Sequence, residues 1–252
     1  MVLKSKLMKI DSVYKQENHQ IGICLSMCEN IVGAKYNNTN FLNCNEIKYL
    51  QSDISDFRRS SYICGRYAAK MSVNLVRGDL SFEEIYIENG IFNQPILKNE
   101  ELDVTISHTK NYGIALAFSR KFICGVDIQE IDNKNSDFLV KILDINEITM
   151  LADIEKDLHK RLLILWVVKE ALSKCLKTGI NIDLDILSVQ YIKEKDSYFE
   201  GEFCNFSQYR FIVFRYENFY ISIVFPKYID FRFDVNKFVK LPFCKTVNYT
   251  DF

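Results

Sequence analysis

The segment LLILWVVKEALSKCLK, residues 162–177, limits the architecture more than any other stretch. Every side chain from Leu162 to Val168 is apolar, and a helix that is apolar all round its circumference is normally buried. At about 100° per residue, Lys169, Glu170, Ser173, Lys174 and Lys177 share one arc, and Leu165, Val168, Ala171, Leu172, Cys175 and Leu176 share the other. Leu162 and Trp166 precede the charges on that same arc. The expectation is a core helix that turns charged where it emerges into a cleft.

A chain of 252 residues can bury such a helix, and its length suits one large domain or two compact halves. Apolar residues make up 48% of it and aromatic residues 13%, which excludes a disordered chain. The net charge is −1, so no global field marks nucleic acid or an acidic membrane as the partner. The eight cysteines are spread singly and form no C-x-x-C pair, and His19, His108 and His159 are too few for a zinc site of usual spacing. They are expected as free thiols filling the core. The N-terminus lacks the apolar run of a secretory signal, and no segment reaches the roughly 18 apolar residues of a membrane span. A cytoplasmic monomer is expected.

IGICLSMC (21–28) reads as a strand, and residues 46–74 as a helix in which Arg59, Arg66 and Lys70 form a basic stripe. EEIYIENGIFNQPILKN reads as a strand, a turn at Asn89-Gly90 and a shorter strand around Pro95. DVTISH, YGIALAFS and KFICGVDIQ read as three strands. In the second, Ile114, Leu116 and Phe118 alternate with alanines, giving one bulky face and one that lies close to a neighbour. In the third, a period of two puts Asp127 and Gln129 on one side. Helices are expected over 137–154 and 157–177, then strands in ILSVQYIK, YRFIVFRY and FYISIVFP, the last two forming a hairpin at Glu217-Asn218. Helix followed by strands thus occurs twice. The expected division is an N-terminal α/β half at 1–118, a second half at 119–240 and a tail at 241–252.

Three pieces carry chemistry: Ser107-His108 at a strand end, GVDIQ at 125–129 and WVVKEALSK at 166–174. Together they resemble the phosphopantetheinyl transferases of the surfactin-synthetase-activating type. That pattern is a G-K-P turn, an S-H pair, a G-[IV]-D-x-E strand and a W-x-x-K-E-[AS]-x-x-K helix. Order and spacing match across roughly residues 46–190, and ICGRYAAK (63–70) resembles the family's upstream helix. The resemblance implies an α+β fold built as a pseudo-twofold pair of similar halves, each a long helix packed on a small antiparallel sheet. It implies transfer of the 4′-phosphopantetheine arm of coenzyme A to a serine of an apo acyl, peptidyl or polyketide carrier protein, with Mg²⁺ as cofactor.

Breaking a diphosphate bond requires neutralised oxygens and an aligned hydroxyl, and Mg²⁺ is commonly held by one or two carboxylates plus phosphate oxygens and water. Asp127 and Glu170 are the candidate carboxylates, with Gln129 standing where the pattern has a third acid. Glu170 also qualifies as general base, and Lys174, one turn on, as a grip on the diphosphate. Coenzyme A contacts are expected from Ser107, His108, Lys169, Lys174, Arg59 and Arg66, and from Gln94 and Pro95, where Asn93-Gln94-Pro95 replaces the G-K-P turn. Two other readings use the same residues: a coenzyme A or carrier-protein binding module without turnover, and a metal-dependent hydrolase acting on coenzyme A.

Overall fold

The computed structural model describes residues 2–29, 39–98, 101–132, 136–179 and 181–245. It opens with two long strands, β1 (Val2–Tyr14) and β2 (Glu17–Glu29), joined by a turn in which Lys15 and Gln16 both have positive φ. Helices α1 (Cys44–Gln51) and α2 (Asp56–Arg77) follow. A short hairpin, β3 (Ile87–Asn89) and β4 (Pro95–Leu97), leads into β5 (Leu102–Thr109), β6 (Tyr112–Ser119) and β7 (Gly125–Glu130). Then come α3 (Ser136–Ile142), α4 (Ile145–Met150) and the long α5 (Leu158–Cys175). Strands β8 (Val189–Glu194), β9 (Phe199–Phe203), β10 (Tyr209–Tyr216) and β11 (Phe219–Pro226) complete the second half. The described chain ends with β12 (Asp230–Arg232), α6 (Val235–Lys240) and β13 (Cys244–Lys245).

Two antiparallel sheets result, ordered β12-β1-β2-β6-β5 and β7-β11-β10-β9-β8. In each, the strand before the long helix pairs with the last strand after it: β2 with β6, and β7 with β11. The doubled order read from the sequence is therefore visible in the strand pairing, and the fold is α+β. The sheets face one another across a core that joins Ile10, Ile23, Leu116 and Phe118 to Val126, Ile128, Phe214 and Ile223. Helix α2 covers the outer face of the first sheet and α5 that of the second.

Small residues bring each helix close. Ala115 and Ala117 of β6 meet Ala68, Ala69 and Val73 of α2, as the alternation in β6 implied. Beneath α5, a Cβ on Gly125 would lie 2.0 Å from the carbonyl oxygen of Ala171, and beneath α2 one on Gly22 would lie 2.2 Å from that of Ser72. Both are impossible contacts for a side chain, so glycine at these points sets how near helix and strand can lie.

Some expectations need correction. Residues 46–74 are two helices, because Ser52–Ser55 leave helical geometry and the Ser55 side chain caps α2. Residues 137–154 likewise divide where Asp144 caps α4, and a 3-10 turn follows at Leu151–Asp153. The N-terminal lysine-rich segment is a full strand. The sheets also do not divide at one point in the chain: β12 and β13 return to pair with β1, and Cys244–Lys245 fall in the segment expected to be a tail. Residues 246–252 of that tail lie outside the described residues. Cys44, Cys204 and Cys244 are exposed, whereas the other five thiols are buried as expected. Among the described residues no helix is long and apolar enough to cross a membrane.

Candidate active site

Asp127 sits in β7 on the side facing α5 and is 1% exposed. Its register partner is Ser222 of β11, and the flanking Val126 and Ile128 point into the core between the sheets. Three groups hold its carboxylate. The Ser107 hydroxyl, at the end of β5, donates to Oδ1 at 2.6 Å, and the Lys174 ammonium donates to the same oxygen at 2.5 Å. The Gln129 amide donates to Oδ2 at 2.9 Å. Ser107 also accepts a bond from the backbone N–H of Ile128 at 3.3 Å, which ties β5 to β7 where the two halves of the fold meet.

Glu170 and Lys174 lie one turn apart on α5, so the helix presents both to the same seam. The Glu170 pKa is pushed up to about 7, first by burial and then by the Asp127 charge, with Lys174 opposing. Among the described residues its carboxyl has no hydrogen-bond donor. Two carboxylates and one ammonium thus share a half-buried space, and the second carboxylate is ionised at a cost.

His108 lies at the solvent-open rim. Its ring packs on Gly65 of α2, where an added Cβ would come within 3.3 Å of Cδ2. Desolvation, with Lys174 and Arg58 as the nearest positive charges, holds its pKa down at about 4, partly offset by a backbone hydrogen bond and by Asp127. The ring is therefore neutral at pH 7, one nitrogen a donor and the other an acceptor. The sequence leaves open how phosphate contacts divide among Arg58, Arg59, Arg66 and Lys70, and Arg58 is the one whose charge reaches His108. Arg58 falls seven residues before Gly65, two turns along the same helix face, and that phase relation was the signal available for it. Its Nε bonds the Tyr49 hydroxyl at 3.3 Å, and its side chain is exposed.

The remaining predicted contacts are placed elsewhere. Lys169 is 1% exposed, and its ammonium donates to Glu147 Oε2 at 2.7 Å and to the Leu184 carbonyl at 2.9 Å. The arc that grouped it with Glu170 and Lys174 is thus divided, since neighbours on a helix differ by about 100°. Arg66 and Lys70 are buried against Glu46 of α1, at 3.6 Å and 2.9 Å, and Arg66 also bonds Asn89 Oδ1 at 2.5 Å. Burial lowers the Lys70 pKa, with Glu46 opposing. Arg59 clasps the α1–α2 junction through the carbonyls of Leu50 and Ser52 and the Asp56 carboxylate. Gln94 and Pro95 close the β3–β4 hairpin, where Gln94 accepts from the Phe92 N–H at 2.9 Å and Pro95 pairs with Asn89. The basic stripe is thus an internal brace.

Among the described residues no three histidine, cysteine or acidic side chains converge. Asp127 and Glu170 do, and Glu170 is raised by burial and then by the Asp127 charge, as expected of a pair short of positive charge. An all-oxygen donor set of this size fits a hard divalent cation such as Mg²⁺, which keeps water and phosphate oxygens for its other positions. Gln129 turns its amide nitrogen to Asp127 and adds no third anion. The hollow lined by Tyr191, Arg210 and Phe225 shares no residue with this cluster.

A search of curated proteins finds no match to this chain. The family model of the 4′-phosphopantetheinyl transferase superfamily matches residues 123–224, from just before β7 through most of β11. That span includes Asp127, Gln129, Glu170 and Lys174 and leaves out Arg58, Ser107 and His108. A domain of the 4′-phosphopantetheinyl transferase superfamily is therefore present in the second half of this chain.

Proposed function

We propose that the chain transfers the 4′-phosphopantetheine arm of coenzyme A to a serine of an apo acyl, peptidyl or polyketide carrier protein, releasing adenosine 3′,5′-bisphosphate. The observation that carries this reading is the convergence of Asp127, Glu170 and Lys174 at one seam, inside the segment matched by the superfamily model. Asp127 and Glu170 would hold Mg²⁺, which when bound neutralises the diphosphate charge.

Each side chain then has a task. Glu170 accepts the proton of the carrier serine hydroxyl, directly or through a water, a role worth about 10²- to 10⁴-fold. Lys174 turns its ammonium protons toward the diphosphate and stabilises the departing nucleotide. Ser107 fixes the Asp127 rotamer. Neutral His108 donates one hydrogen bond to a phosphate oxygen, and exposed Arg58 adds charge at the rim. The chain acts as a cytoplasmic monomer of the two-half type in secondary metabolism.

A second reading is a coenzyme A or carrier-protein binding module without turnover. It is favoured by one observation, the Gln129 amide occupying Asp127 Oδ2 where the family pattern has an acid. Incubation of the chain with coenzyme A, Mg²⁺ and a panel of apo carrier proteins separates the two. Intact-mass analysis is expected to show one phosphopantetheine increment, on a serine. Coenzyme A binding with no increment on any carrier would establish the second reading instead.

A further inference from the structure

A second concave site lies on the other face of the second sheet, remote in sequence from the cluster. One cross-strand row runs through Tyr191 of β8, Glu202 of β9, Arg210 of β10 and Phe225 of β11, each the register partner of the next. Side chains directly opposite one another share a sheet face. This is the face turned from α5, since the neighbouring Phe203, Phe211 and Val224 pack with that helix. Phe231 of β12 stacks on Phe225 at 4.2 Å between ring centroids, and Phe233 follows it over the row. The result is a hollow of about 130 Å³, part of it open to solvent.

Three charged side chains line the hollow, Glu200, Glu202 and Arg210. The Arg210 guanidinium lies over the Phe225 ring at 4.9 Å. Its Nε is buried and has no hydrogen-bond partner. Among the described residues, every other arginine donates at least one hydrogen bond, including Arg66 and Arg161, whose Nε atoms are also orphaned. The acids beside Arg210 do not answer it. Glu202 is taken by Lys227, and Glu200 pairs with Lys195 at 3.3 Å. Lys193 lies over the Tyr191 ring at 4.9 Å, next to this lining. A buried donor left unmade costs about 1–3 kcal/mol of desolvation, and a planar acceptor entering the hollow would recover it.

We propose that this hollow binds a small molecule made of one carboxylate and a flat apolar body. The carboxylate accepts the forked donors of Arg210, a geometry in which arginine surpasses lysine. The body lies among Phe225, Phe231, Phe233 and Tyr198. Occupation is independent of the Asp127 cluster and of the transferase reading.

The test uses the full chain, ¹⁵N-labelled and titrated at constant ionic strength with benzoate, benzamide or inorganic phosphate. Benzoate is expected to move the Arg210 Nε–Hε and Gly201 amide resonances saturably. Benzamide and phosphate should bind about tenfold or more weakly, because each lacks one half of the required chemistry. Arg210→Met should weaken benzoate by about tenfold or more while leaving coenzyme A binding unchanged. Arg210→Lys keeps the charge without the fork; it should also weaken benzoate, and it serves if the methionine variant does not fold. Unmoved Arg210 signals, benzoate binding undiminished in both variants, or phosphate binding as tight as benzoate would each overturn the proposal.

Discussion

Helices α2 and α5 hold equivalent places in the two halves, and their buried charges separate brace from chemistry. Each buries a lysine against a glutamate three residues past the N-cap of a short preceding helix. Lys70 meets Glu46, whose helix is capped by Asn43, and Lys169 meets Glu147, whose helix is capped by Asp144. Glycine lies under both helices, Gly22 beneath α2 and Gly125 beneath α5. The twins differ immediately afterwards. Counted from the paired lysines, Glu170 and Lys174 of α5 correspond to Met71 and Leu75 of α2, and counted from the glycines, Asp127 corresponds to Cys24. A closed, fully paired buried charge holds elements together. The seam in the second half instead carries a carboxyl whose pKa is raised by burial and then by Asp127, as in sites poised for proton transfer.

Substitutions can break this contrast. Glu170→Gln and Asp127→Ala should each lower carrier modification by about 10²-fold or more while the thermal midpoint stays near that of the parent chain, checked by mass-resolved initial rates beside calorimetry. Lys169→Met should do the reverse. It strands Glu147 in the core and should cost about 3–5 kcal/mol of stability in urea unfolding. Lys70→Met should cost less, because Arg66 remains 3.6 Å from Glu46. A smaller loss for Lys169→Met than for Lys70→Met would refute the equivalence of the two braces.

Gly125→Ala tests the glycine contact. Its Cβ would meet the Ala171 carbonyl oxygen at 2.0 Å, so the α5 backbone must move and carry Glu170 with it. Stability should fall by about 1–3 kcal/mol, and activity should fall beyond what the unfolded fraction accounts for. Gln129→Glu adds an anion beside Asp127 and should lower the Mg²⁺ concentration at half-maximal rate, with little change in melting.

The mildest effect concerns pH. The His108 pKa is lower in the fold, at about 4, than the ordinary 6.5, so between those values the unfolded chain binds more protons. Its contribution is fully present above pH 6.5 and lost as pH falls toward 4. His108→Gln should flatten the stability profile in that window, and an NMR titration should place the imidazole transition near pH 4.

Much of this was legible in the sequence. The alternation in YGIALAFS gave the helix-facing alanines of β6, and the apolar run before Lys169 gave a buried α5. The strand β1 was hidden because Lys4, Lys6 and Lys9 interrupt its pattern. Lys6 is nonetheless buried, its ammonium 4.3 Å from the Tyr216 ring centre and bonded to the Val239 carbonyl at 3.0 Å. Of the site, Asp127, Glu170 and Lys174 were named through the resemblance of GVDIQ and WVVKEALSK to the transferase motifs. The brace role of Lys169, Arg66 and Lys70 was not legible, because their partners Glu147 and Glu46 lie 20 or more residues away, in helices whose ends are fixed by side-chain caps that the periodicity does not report.

The most direct test is calorimetric titration of Mn²⁺ into the chain in the presence of coenzyme A, repeated with Asp127→Ala, Glu170→Gln and Lys169→Met. One saturable, coenzyme A-dependent site is expected, weakened about tenfold or more by the first two substitutions and unchanged in the folded fraction of the third. Undiminished binding in both carboxylate variants would contradict the account, because it would place the cation away from the seam that Asp127 and Glu170 share.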